Sequence, residues 1–400
     1  MSALTPVAPR ERIATLDVLR GFALLGVLLG NSYWLYSARF LEAPPDTSRF
    51  DAIARWIQAL LVESKAQTLL TFLFGFGFAA QLLRAEARHE PVMGIYLRRL
   101  FVLLAIGLLH VMLWWGDVTW TYAVAGFALL LFLRTSDRAR LVWAALLTFG
   151  CFAFGTWPSL RAAAARLVAS PATMEQTMKS FAAAIHGKRF WPVVPAHLRV
   201  ALVWEAPIYL WYYAWLLGRF LVGYVAGTQR WFDDDGAGHL PLFRRFVLFG
   251  LVADVPAAVL TILLRLVPHA PHRLGPLASV AVGLVDQLGL LGLTAAYVGV
   301  IVLLMQRPSW RSLLTLIAPA GRMPLTTYIS QSVISTFLYY GWGLGLAGTV
   351  RSARCVMLAL AIFALQVVAA HLWLRRFRFG PLEWIWRALV YLQLPPMRVR

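Results

Sequence analysis

The chain has 400 residues, of which 60% are hydrophobic and only 14% are charged. Soluble globular proteins carry about 25% charged residues, and runs of about 18 or more apolar residues are typical of membrane-spanning helices. These values exclude a soluble multidomain enzyme and predict an all-α, polytopic membrane protein. We expect residues 1–400 to form one integral-membrane domain.

The chain is strongly basic, with 37 Lys and Arg against 18 Asp and Glu and a formal net charge of +19. In a soluble protein such a charge would suggest nucleic-acid binding. Here the basic residues stand singly or in pairs at the ends of apolar runs, as the positive-inside bias and anionic lipid headgroups require. We therefore expect the lipid bilayer, and not nucleic acid, as the partner.

Apolar windows of about 19 residues predict ten spans. The N-terminal segment has no short apolar region followed by a cleavage site, so we expect the first span to be retained. The predicted spans lie near residues 18–36, 66–83, 100–116, 118–133, 141–157, 201–228, 246–264, 276–305, 321–341 and 353–374.

Arginine is concentrated in the connections on one side of these spans, for example at Arg98 and Arg99, whereas the turn Gly116-Asp117 on the other side has no basic residue. The positive-inside rule then places both termini in the cytoplasm. Arginine far outnumbers lysine, and the chain has a single asparagine. This composition is typical of a GC-rich bacterial genome, and we expect a location in the bacterial inner membrane.

Two segments on the outer side are expected to form structure of their own. Residues 37–65 contain FDAIARWIQALLVES, whose near-helical apolar spacing predicts a helix on the membrane surface. Residues 158–200 contain AAAARLVA and MEQTMKSFAAAIH, which predict a second surface helix or a cover over a cavity. A solvated connector is the alternative for residues 158–200.

Polar groups inside hydrocarbon are costly, so those that occur are candidates for function. Asn31 follows Gly26 and Gly30, a small-residue face that allows close approach of another helix. The alternative role for Asn31 is an interhelical hydrogen bond. The third span places His110 about 17 Å along its length, in the same outer half as Asn31.

A neutral imidazole at His110 can take a proton from a hydroxyl or amine, or attack an acyl group itself. The alternative is that His110 is a packing residue whose hydrogen bonds are satisfied within the helix bundle. Asp117 would lie about 10 Å further out on an extended helix, so it can orient His110 only if the turn folds back.

A basic group lies at the inner ends of the spans. It comprises Arg20, Arg98, Arg99, Arg322 and Arg387. Arginine forks suit phosphate recognition, and the prolines and glycine around Arg322 would interrupt a helix and free backbone donors near an anion. Anchoring to lipid headgroups is the alternative.

Further polar residues in apolar stretches are Glu205, Asp254, Asp286 and Gln331. Asp254 and Asp286 lie on adjacent predicted spans, where a carboxylate pair could carry protons or a cation, or be satisfied by hydroxyls or Arg265. The two cysteines, Cys151 and Cys355, lie in apolar stretches. They indicate neither a disulfide nor a thiolate metal site, and we expect no metal.

Several motifs resemble one family along nearly the whole chain. They are RIATLDVLRGFALLGVLLGN at 12–31, KAQTLLTFLFGFG at 65–77, RRLFVLLAIGLLHVMLWWGDVTWTYAVAG at 98–126, GRMPLTTYISQSVI at 321–334 and RRFRFGPLEWIWR at 375–387. This set resembles the YeiB-type bacterial membrane proteins, a family of unknown biochemical function.

The opening LDxxRGxAxxxxxxxN also resembles the catalytic domain of heparan-α-glucosaminide N-acetyltransferase and other transmembrane acyltransferases. That resemblance implies acetyl transfer from cytosolic acetyl-CoA to a sugar on the far side, a role for Asn31, and a homodimer. The catalytic histidine of those enzymes follows the asparagine in the first loop. This chain has SYWLYSARFLEAPP there, without a histidine, so His110 can replace it only in space.

The leading hypothesis is an acyltransferase-like membrane protein with acetyl-CoA or another acyl-CoA as co-substrate. Its phosphates would bind Arg20, Arg98 and Arg322. Asn31 would hydrogen-bond the thioester oxyanion and His110 would act as base, with Asp117 beside it. Lys65 and Gln331 are assigned to a glycan, lipid or small-molecule acceptor. The alternatives are a transporter or lipid-handling protein that uses Asp254 and Asp286, and a membrane scaffold.

Overall fold

A computed structural model describes residues 12–87, 92–150, 169–266 and 275–399, with Ala153, Trp157, Ala163 and Arg166 between the second and third ranges. The described residues are almost entirely helical, and their only β-type pairing is an isolated antiparallel bridge between Phe377 and Arg398. The all-α prediction is confirmed. Cys151, most of AAAARLVA and the side chain of Glu205 lie outside the described residues.

The helices are numbered here in chain order. Four of them continue directly into a wider π-helical turn: α1 into Ser32–Tyr36, α2 into Gln58–Val62, α6 into Leu146–Gly150 and α8 into Ala201–Glu205. The helices are α1 Ala14–Asn31, α2 Arg49–Ile57, α3 Lys65–Ala87, α4 Val92–Leu113, α5 Thr119–Leu129, α6 Asp137–Ala145, α7 Pro171–His186, α8 Val193–Val200, α9 Ala206–Thr228, α10 Leu240–Leu266, α11 Pro276–Met305, α12 Pro308–Leu314, α13 Ala318–Arg322, α14 Pro324–Tyr339, α15 Ser352–Leu374 and α16 Pro381–Tyr391.

Six helical stretches of the described chain are long and apolar enough to cross a bilayer. They are Ala14–Tyr36, Arg49–Ala87, Met93–Leu113, Asp233–Leu266, Pro276–Met305 and Ser352–Leu374. Each contains or overlaps a span predicted from the sequence, and together they indicate a multi-pass membrane protein.

The four remaining predicted spans do not meet the same criterion. Helices α5 and α14 have 11 and 16 residues, which is short of the roughly 20 that a straight crossing needs. The predicted spans 141–157 and 201–228 include positions outside the described residues or side chains. The count of ten and the side on which the termini lie therefore stay predictions.

Helix α1 is clamped between α3 on one side and α13 on the other. A Cβ added at Gly26 would lie 2.5 Å from the Cβ of Ala66 on α3, and one added at Gly321 would lie 1.9 Å from the Asp17 carbonyl oxygen. Only glycine permits such close approach of two helices. The small-residue face of α1 is thus used for packing, and it brings Asn31 close to the start of α3.

The bundle has two ends, which we name by the residues that lie there. The terminal end carries the start of α1 at Ala14 and the end of α15 at Leu374. The turn end carries the Gly116-Asp117 reversal between α4 and α5, together with helices α2, α7 and α8. Candidate functional residues occur at both ends.

A helix forms in the predicted outer segment 37–65, and its apolar side points outward. Phe50 is 62% exposed and Ile53 52%, whereas Asp51 is 2% exposed. Ser48 and Asp51 form a reciprocal capping box, and Asp51 also accepts a hydrogen bond from the Ala353 backbone N–H at 3.0 Å. Because the carboxylate is satisfied inside, the exposed apolar face of α2 is suited to contact with lipid.

The described part of segment 158–200 packs onto the turn end of the bundle. Phe181 and Ile185 of α7 and Val193 of α8 are fully buried. The Gly341 backbone N–H donates to the Ile185 carbonyl at 2.6 Å, and His197 is buried with its Nε2 3.2 Å from the Tyr340 hydroxyl. These two helices are therefore packed onto the bundle, and a role for segment 158–200 as a surface helix or a cover over a cavity stays a prediction.

Candidate functional site

The chain reversal between α4 and α5 brings Asp117 back onto His110. His110 Nδ1 lies 2.7 Å from Asp117 Oδ1, and the two residues are 4% and 3% exposed. The other carboxylate oxygen accepts from the backbone N–H groups of Thr119 at 2.9 Å and Trp120 at 3.1 Å. A carboxylate that already accepts several hydrogen bonds is an acceptor, so Nδ1–H of His110 is the donor.

The second ring nitrogen of His110 is enclosed by aromatic side chains. Nε2 is buried and has no hydrogen-bond partner in the described part of the chain. The ring packs edge-on against Tyr328, with centroids 5.4 Å apart, and lies 6.2 Å from the Trp114 ring. In the neutral tautomer that carries its proton on Nδ1, Nε2 has the free lone pair.

A cavity of about 390 Å³ lies beside this pair at the turn end. Its lining comes from α1, the connection into α3, the Gly116-Asp117 reversal, α5 and Tyr212 of α9. Asn31 and Asp117 both line it, and His110 lies in the wall behind Asp117. The structure therefore brings together the three residues that the sequence singled out for catalysis.

The Asn31 side chain makes no hydrogen bond to any other described residue, although it is only partly exposed. Gln58, and not Asn31, makes the local interhelical bond, because its amide donates to the Leu29 carbonyl at 3.1 Å. The carboxamide of Asn31 is consequently free to contact a ligand in the cavity.

Polar side chains of α3, α5 and α9 form a polar wall on and beside the cavity lining. The Thr71 hydroxyl lies 2.8 Å from the Tyr122 hydroxyl, and the Gln67 amide donates to the Tyr212 hydroxyl. Polar groups with fixed partners on an otherwise apolar lining are typical of small-molecule sites.

Arg219 lies deep in α9, close to this wall, and was not among the residues predicted from the sequence. It is 2% exposed and donates to the Gln287 side chain at 3.0 Å, the Trp215 carbonyl at 3.0 Å and the Thr68 hydroxyl at 3.3 Å. No carboxylate of the described residues pairs with it. An arginine inside the apolar run WYYAWLLGRFLVGY was the signal that could have marked it.

Basic residues converge at the terminal end. Arg20 and Arg322 lie there, and further arginines from separate elements lie within electrostatic range of one or the other. We call this set the terminal arginine cluster; it comprises Arg12, Arg20, Arg84, Arg99, Arg322 and Arg387.

Arg98 does not belong to the cluster. Its Nε donates to the Gly94 carbonyl of its own helix at 3.3 Å, in a solvent-exposed hydrogen bond. The next residue, Arg99, is turned inward, donates to Gln81 Oε1 at 2.5 Å and lies over the Trp386 ring at 5.0 Å. Adjacent helical residues point about 100° apart, so only one of the two arginines faces the interior.

The two described acids nearest the cluster, Asp17 and Glu383, already have partners of their own. Asp17 pairs with Arg12 at 2.7 Å and with Arg20 at 3.1 Å. The Glu383 carboxylate caps α14, accepting from the backbone N–H groups of Leu325 at 2.7 Å and Thr326 at 3.0 Å and from the Thr326 hydroxyl at 2.5 Å. Both acids are therefore already occupied.

Burial and like charges have consistent effects on the groups at this end that lie outside the spanning helices. Burial lowers the pKa of Arg322, and Arg12 lowers it further. Burial also lowers the pKa of Arg387, where Arg12 again opposes the charged form. Burial raises the pKa of Glu383 against the effect of the hydrogen bonds that it accepts.

Lys65, assigned to the acceptor, lies beside the cavity but does not line it. Its Nζ donates to the Ala59 carbonyl at 3.3 Å, and Asp254, Asp286 and Glu63 are within electrostatic range. Among the described residues, neither the Asp254 nor the Asp286 side-chain carboxylate has a hydrogen bond or an ion pair. Arg265, the proposed counterion, instead approaches Glu63 at 4.0 Å.

Gln331 is built into the helix packing. It is buried, and its amide donates to the Leu24 carbonyl at 3.2 Å and to Gln366 Oε1 at 3.3 Å. The amide thus links α14 to α1 and α15, and Gln331 is not among the cavity-lining residues. Its assignment to the acceptor stays a prediction. The described residues contain no cluster of three or more histidine, cysteine or acidic side chains suited to a metal.

Comparison with known proteins gives two kinds of match. A family described as "Protein of unknown function (DUF418)" matches residues 226–393. The chain is 31% identical to "Uncharacterized protein YxaH" of Bacillus subtilis (strain 168), over 99% of this chain and 98% of the relative. The chain belongs to this family. The DUF418 protein is also 28% identical to "Uncharacterized protein YeiB" of Escherichia coli (strain K12), over 95% of this chain and 96% of the relative.

A third relative is the "Uncharacterized 39.9 kDa protein in amylase 3'region" of Bacillus acidopullulyticus, which is 29% identical over 97% of this chain and 96% of its own length. No solved structure matches this DUF418 protein. The YeiB-type resemblance drawn from the motifs is confirmed.

Proposed function

We propose that this DUF418 protein is a membrane acyltransferase. It takes an acyl group from acyl-CoA on the cytoplasmic side and transfers it to an acceptor in the cavity at the turn end. The observation that carries the proposal is the His110–Asp117 pair, with an unpartnered Nε2, in the wall of a cavity lined by Asn31.

The His110–Asp117 pair has the arrangement of a general base and its orienting carboxylate. Asp117 holds the ring in the tautomer that has Nε2 unprotonated, and it stabilises the imidazolium that forms when Nε2 takes a proton. The acceptor is a hydroxyl or an amine, because each supplies a proton and a nucleophile. It reaches Nε2 after a shift of the Tyr328 and Trp114 rings that pack against the imidazole. Catalytic contacts in ligand-free sites often tighten only on binding.

The transfer step balances with these groups alone. Nε2 of His110 removes the proton from the acceptor, whose oxygen or nitrogen attacks the thioester carbonyl carbon. The Asn31 amide N–H donates to the developing oxyanion. The carbon–sulfur bond then breaks, and the thiolate of CoA takes the proton back from the imidazolium.

The distance between the two ends fits a donor with a long arm. Arg20 and Asn31 are 11 residues apart on one helix, which corresponds to about 16 Å of rise. An extended pantetheine arm can span this length, so the phosphates would bind at the terminal end while the thioester lies near Asn31.

The test measures release of CoA thiol and transfer of label from ¹⁴C-acetyl-CoA, with the protein in nanodiscs and bacterial membrane extract as the acceptor source. We expect transfer by the wild type and loss of it in His110→Ala. His371→Ala is the matched control, since His371 Nδ1 lies 2.9 Å from the Val367 carbonyl of its own helix. Equal transfer by wild type and His110→Ala would show that the assignment is wrong.

Transport is the second candidate function, and it is favoured by Lys65 together with Asp254 and Asp286. A buried lysine within electrostatic range of two carboxylates on membrane-spanning helices is typical of a proton or cation pathway. Proton uptake into liposomes that Asp254→Asn abolishes and His110→Ala leaves unchanged would favour transport over acyl transfer.

A further inference from the structure

We propose that the terminal arginine cluster is a binding site for a ligand that carries two or more phosphate groups, held chiefly by Arg99, Arg322 and Arg387. That the ligand is a CoA thioester rests on the proposed function. The phosphate chemistry itself does not, since it follows from the arrangement of the arginines.

The cluster is assembled by the tertiary fold. Its members come from the start of the chain and α1, from α3, from α4, from α13 and from α16. Arginines that only anchor helix ends to headgroups can stay apart in water, where their mutual repulsion is screened. Here like charges are brought together and partly buried, which is unfavourable without an anion between them.

Three of these guanidinium groups have a donor with nothing to bind. The Nε atoms of Arg99, Arg322 and Arg387 are buried and have no hydrogen-bond partner in the described chain. Arg387 lies within electrostatic range of Arg99, and Arg322 and Arg387 both lie within that range of Arg12. Buried polar groups are normally satisfied, so an unpartnered N–H in each of these three arginines indicates that an acceptor belongs there. A phosphate group, with several acceptor oxygens and a negative charge, matches a set of arginine forks.

Aromatic rings hold two of the three guanidinium planes. Arg99 lies over the Trp386 ring at 5.0 Å and Arg387 over the Phe379 ring at 4.6 Å. Stacking on rings leaves the N–H edges of a guanidinium free while restricting its rotation. Arg99 and Arg387 are therefore oriented before any ligand arrives.

Charge balance points to more than one phosphate. Among the described residues Asp17 is occupied by Arg12 and Arg20, and no carboxylate forms an ion pair with Arg99, Arg322 or Arg387. Three positive charges without an ion-pair partner suit a diphosphate better than a single phosphate ester.

Two sources can supply this chemistry, a soluble phosphorylated ligand and an anionic lipid headgroup. The first arm of the experiment uses wild-type protein in nanodiscs of phosphatidylcholine alone, with inorganic pyrophosphate as the probe and the melting temperature as the readout. A ligand that binds only the folded state raises the melting temperature by mass action. We expect pyrophosphate to raise it, and the rise to shrink with salt.

Variants separate a built site from general basicity. Arg99→Gln is compared with Arg98→Gln, which removes the same charge one residue away, where the side chain bonds only to its own helix in a solvent-exposed hydrogen bond. We expect the pyrophosphate affinity to fall tenfold or more in Arg99→Gln and to change less than twofold in Arg98→Gln. If Arg99→Gln does not fold, two other variants are compared with Arg98→Gln. They are Arg99→Lys, which keeps the charge but loses the guanidinium fork, and Arg387→Gln.

The second arm repeats the titration in nanodiscs that contain phosphatidylglycerol. Lost pyrophosphate binding there identifies a lipid headgroup as the occupant, and retained binding identifies a soluble phosphorylated ligand. No binding of pyrophosphate in either nanodisc, or equal weakening in Arg98→Gln and Arg99→Gln, overturns the proposal. If pyrophosphate binds but no acetyl transfer occurs, the acyltransferase function is overturned and the phosphate site stands. If acetyl transfer occurs but pyrophosphate does not bind, the phosphate site is overturned and the acyltransferase function stands.

Discussion

His110 and Asp117 are seven residues apart in the chain, yet their side chains meet, with Nδ1 2.7 Å from Oδ1. A continued helix would have separated them by about 10 Å along its axis. The reversal at Gly116 removes this separation, and the carboxylate then serves both the imidazole and the first N–H groups of α5.

Asp117→Asn is expected to lower acetyl transfer about 100-fold or more. An asparagine amide can donate to Nδ1, which would place the proton on Nε2 and remove the base. The measurement is the rate of label transfer under saturating acetyl-CoA. Asp234→Asn, a change at an exposed turn residue, is the control and should match the wild type. A wild-type rate in Asp117→Asn would contradict the role of the pair.

Asn31→Ala is expected to separate activity from stability. The carboxamide has no hydrogen-bond partner among the described residues, so the free energy of unfolding should change by less than about 0.5 kcal/mol. Loss of an oxyanion donor should lower the transfer rate about 100-fold to 1,000-fold. Both are measured on the same preparation, by denaturant titration and by label transfer.

Gln58→Ala is the matched contrast to Asn31→Ala. Its buried amide bonds the Leu29 carbonyl, so removing it should lower the free energy of unfolding by about 1–3 kcal/mol. If Asn31→Ala destabilised the protein as much as Gln58→Ala, Asn31 would be a packing residue.

Gly26→Ala is expected to destabilise the protein by about 1–3 kcal/mol, because the added Cβ would lie 2.5 Å from the Ala66 Cβ and push α1 away from α3. Gly77→Ala is the control in the neighbouring helix, since a Cβ there meets no atom within 4 Å. It should leave stability unchanged or raise it by up to about 1 kcal/mol. The melting temperatures of the two variants test the clamp on α1, and equal values would contradict it.

Glu383 predicts a pH dependence of stability with a definite sign. Burial raises its pKa in the folded state above the ordinary value of 4.5. The folded protein then binds more protons than the unfolded chain between the two pKa values, so stability falls as the pH rises through that window. As the pH rises through that window, the melting temperature of the wild type should fall relative to that of Glu383→Gln.

The control for Glu383 is Glu175→Gln, at an exposed side chain of α7 paired only with Lys179. Its melting temperature should follow that of the wild type over the same pH range. If the melting temperatures of Glu383→Gln and the wild type changed in parallel with pH, the pKa of Glu383 would not be raised.

The sequence by itself determined the class of protein and much of the local structure. Apolar runs longer than a bilayer requires can be stable only as helices in lipid, since every backbone N–H and C=O group must be paired within the segment. For the same reason the six long apolar helices coincide with predicted spans. The family was also readable, because its motifs lie in continuous stretches of the chain.

Only the tertiary structure decided which polar residues meet. Periodicity places Arg98 and Arg99 at the same helix end, but the packing of α16 against α4 selects Arg99 for the cluster. Likewise, the reversal at Gly116 decided that Asp117 bonds His110, and the contacts of α9 left Arg219 without a carboxylate in the described chain. The physical reason is that such contacts join residues distant in sequence, and local pattern does not encode them.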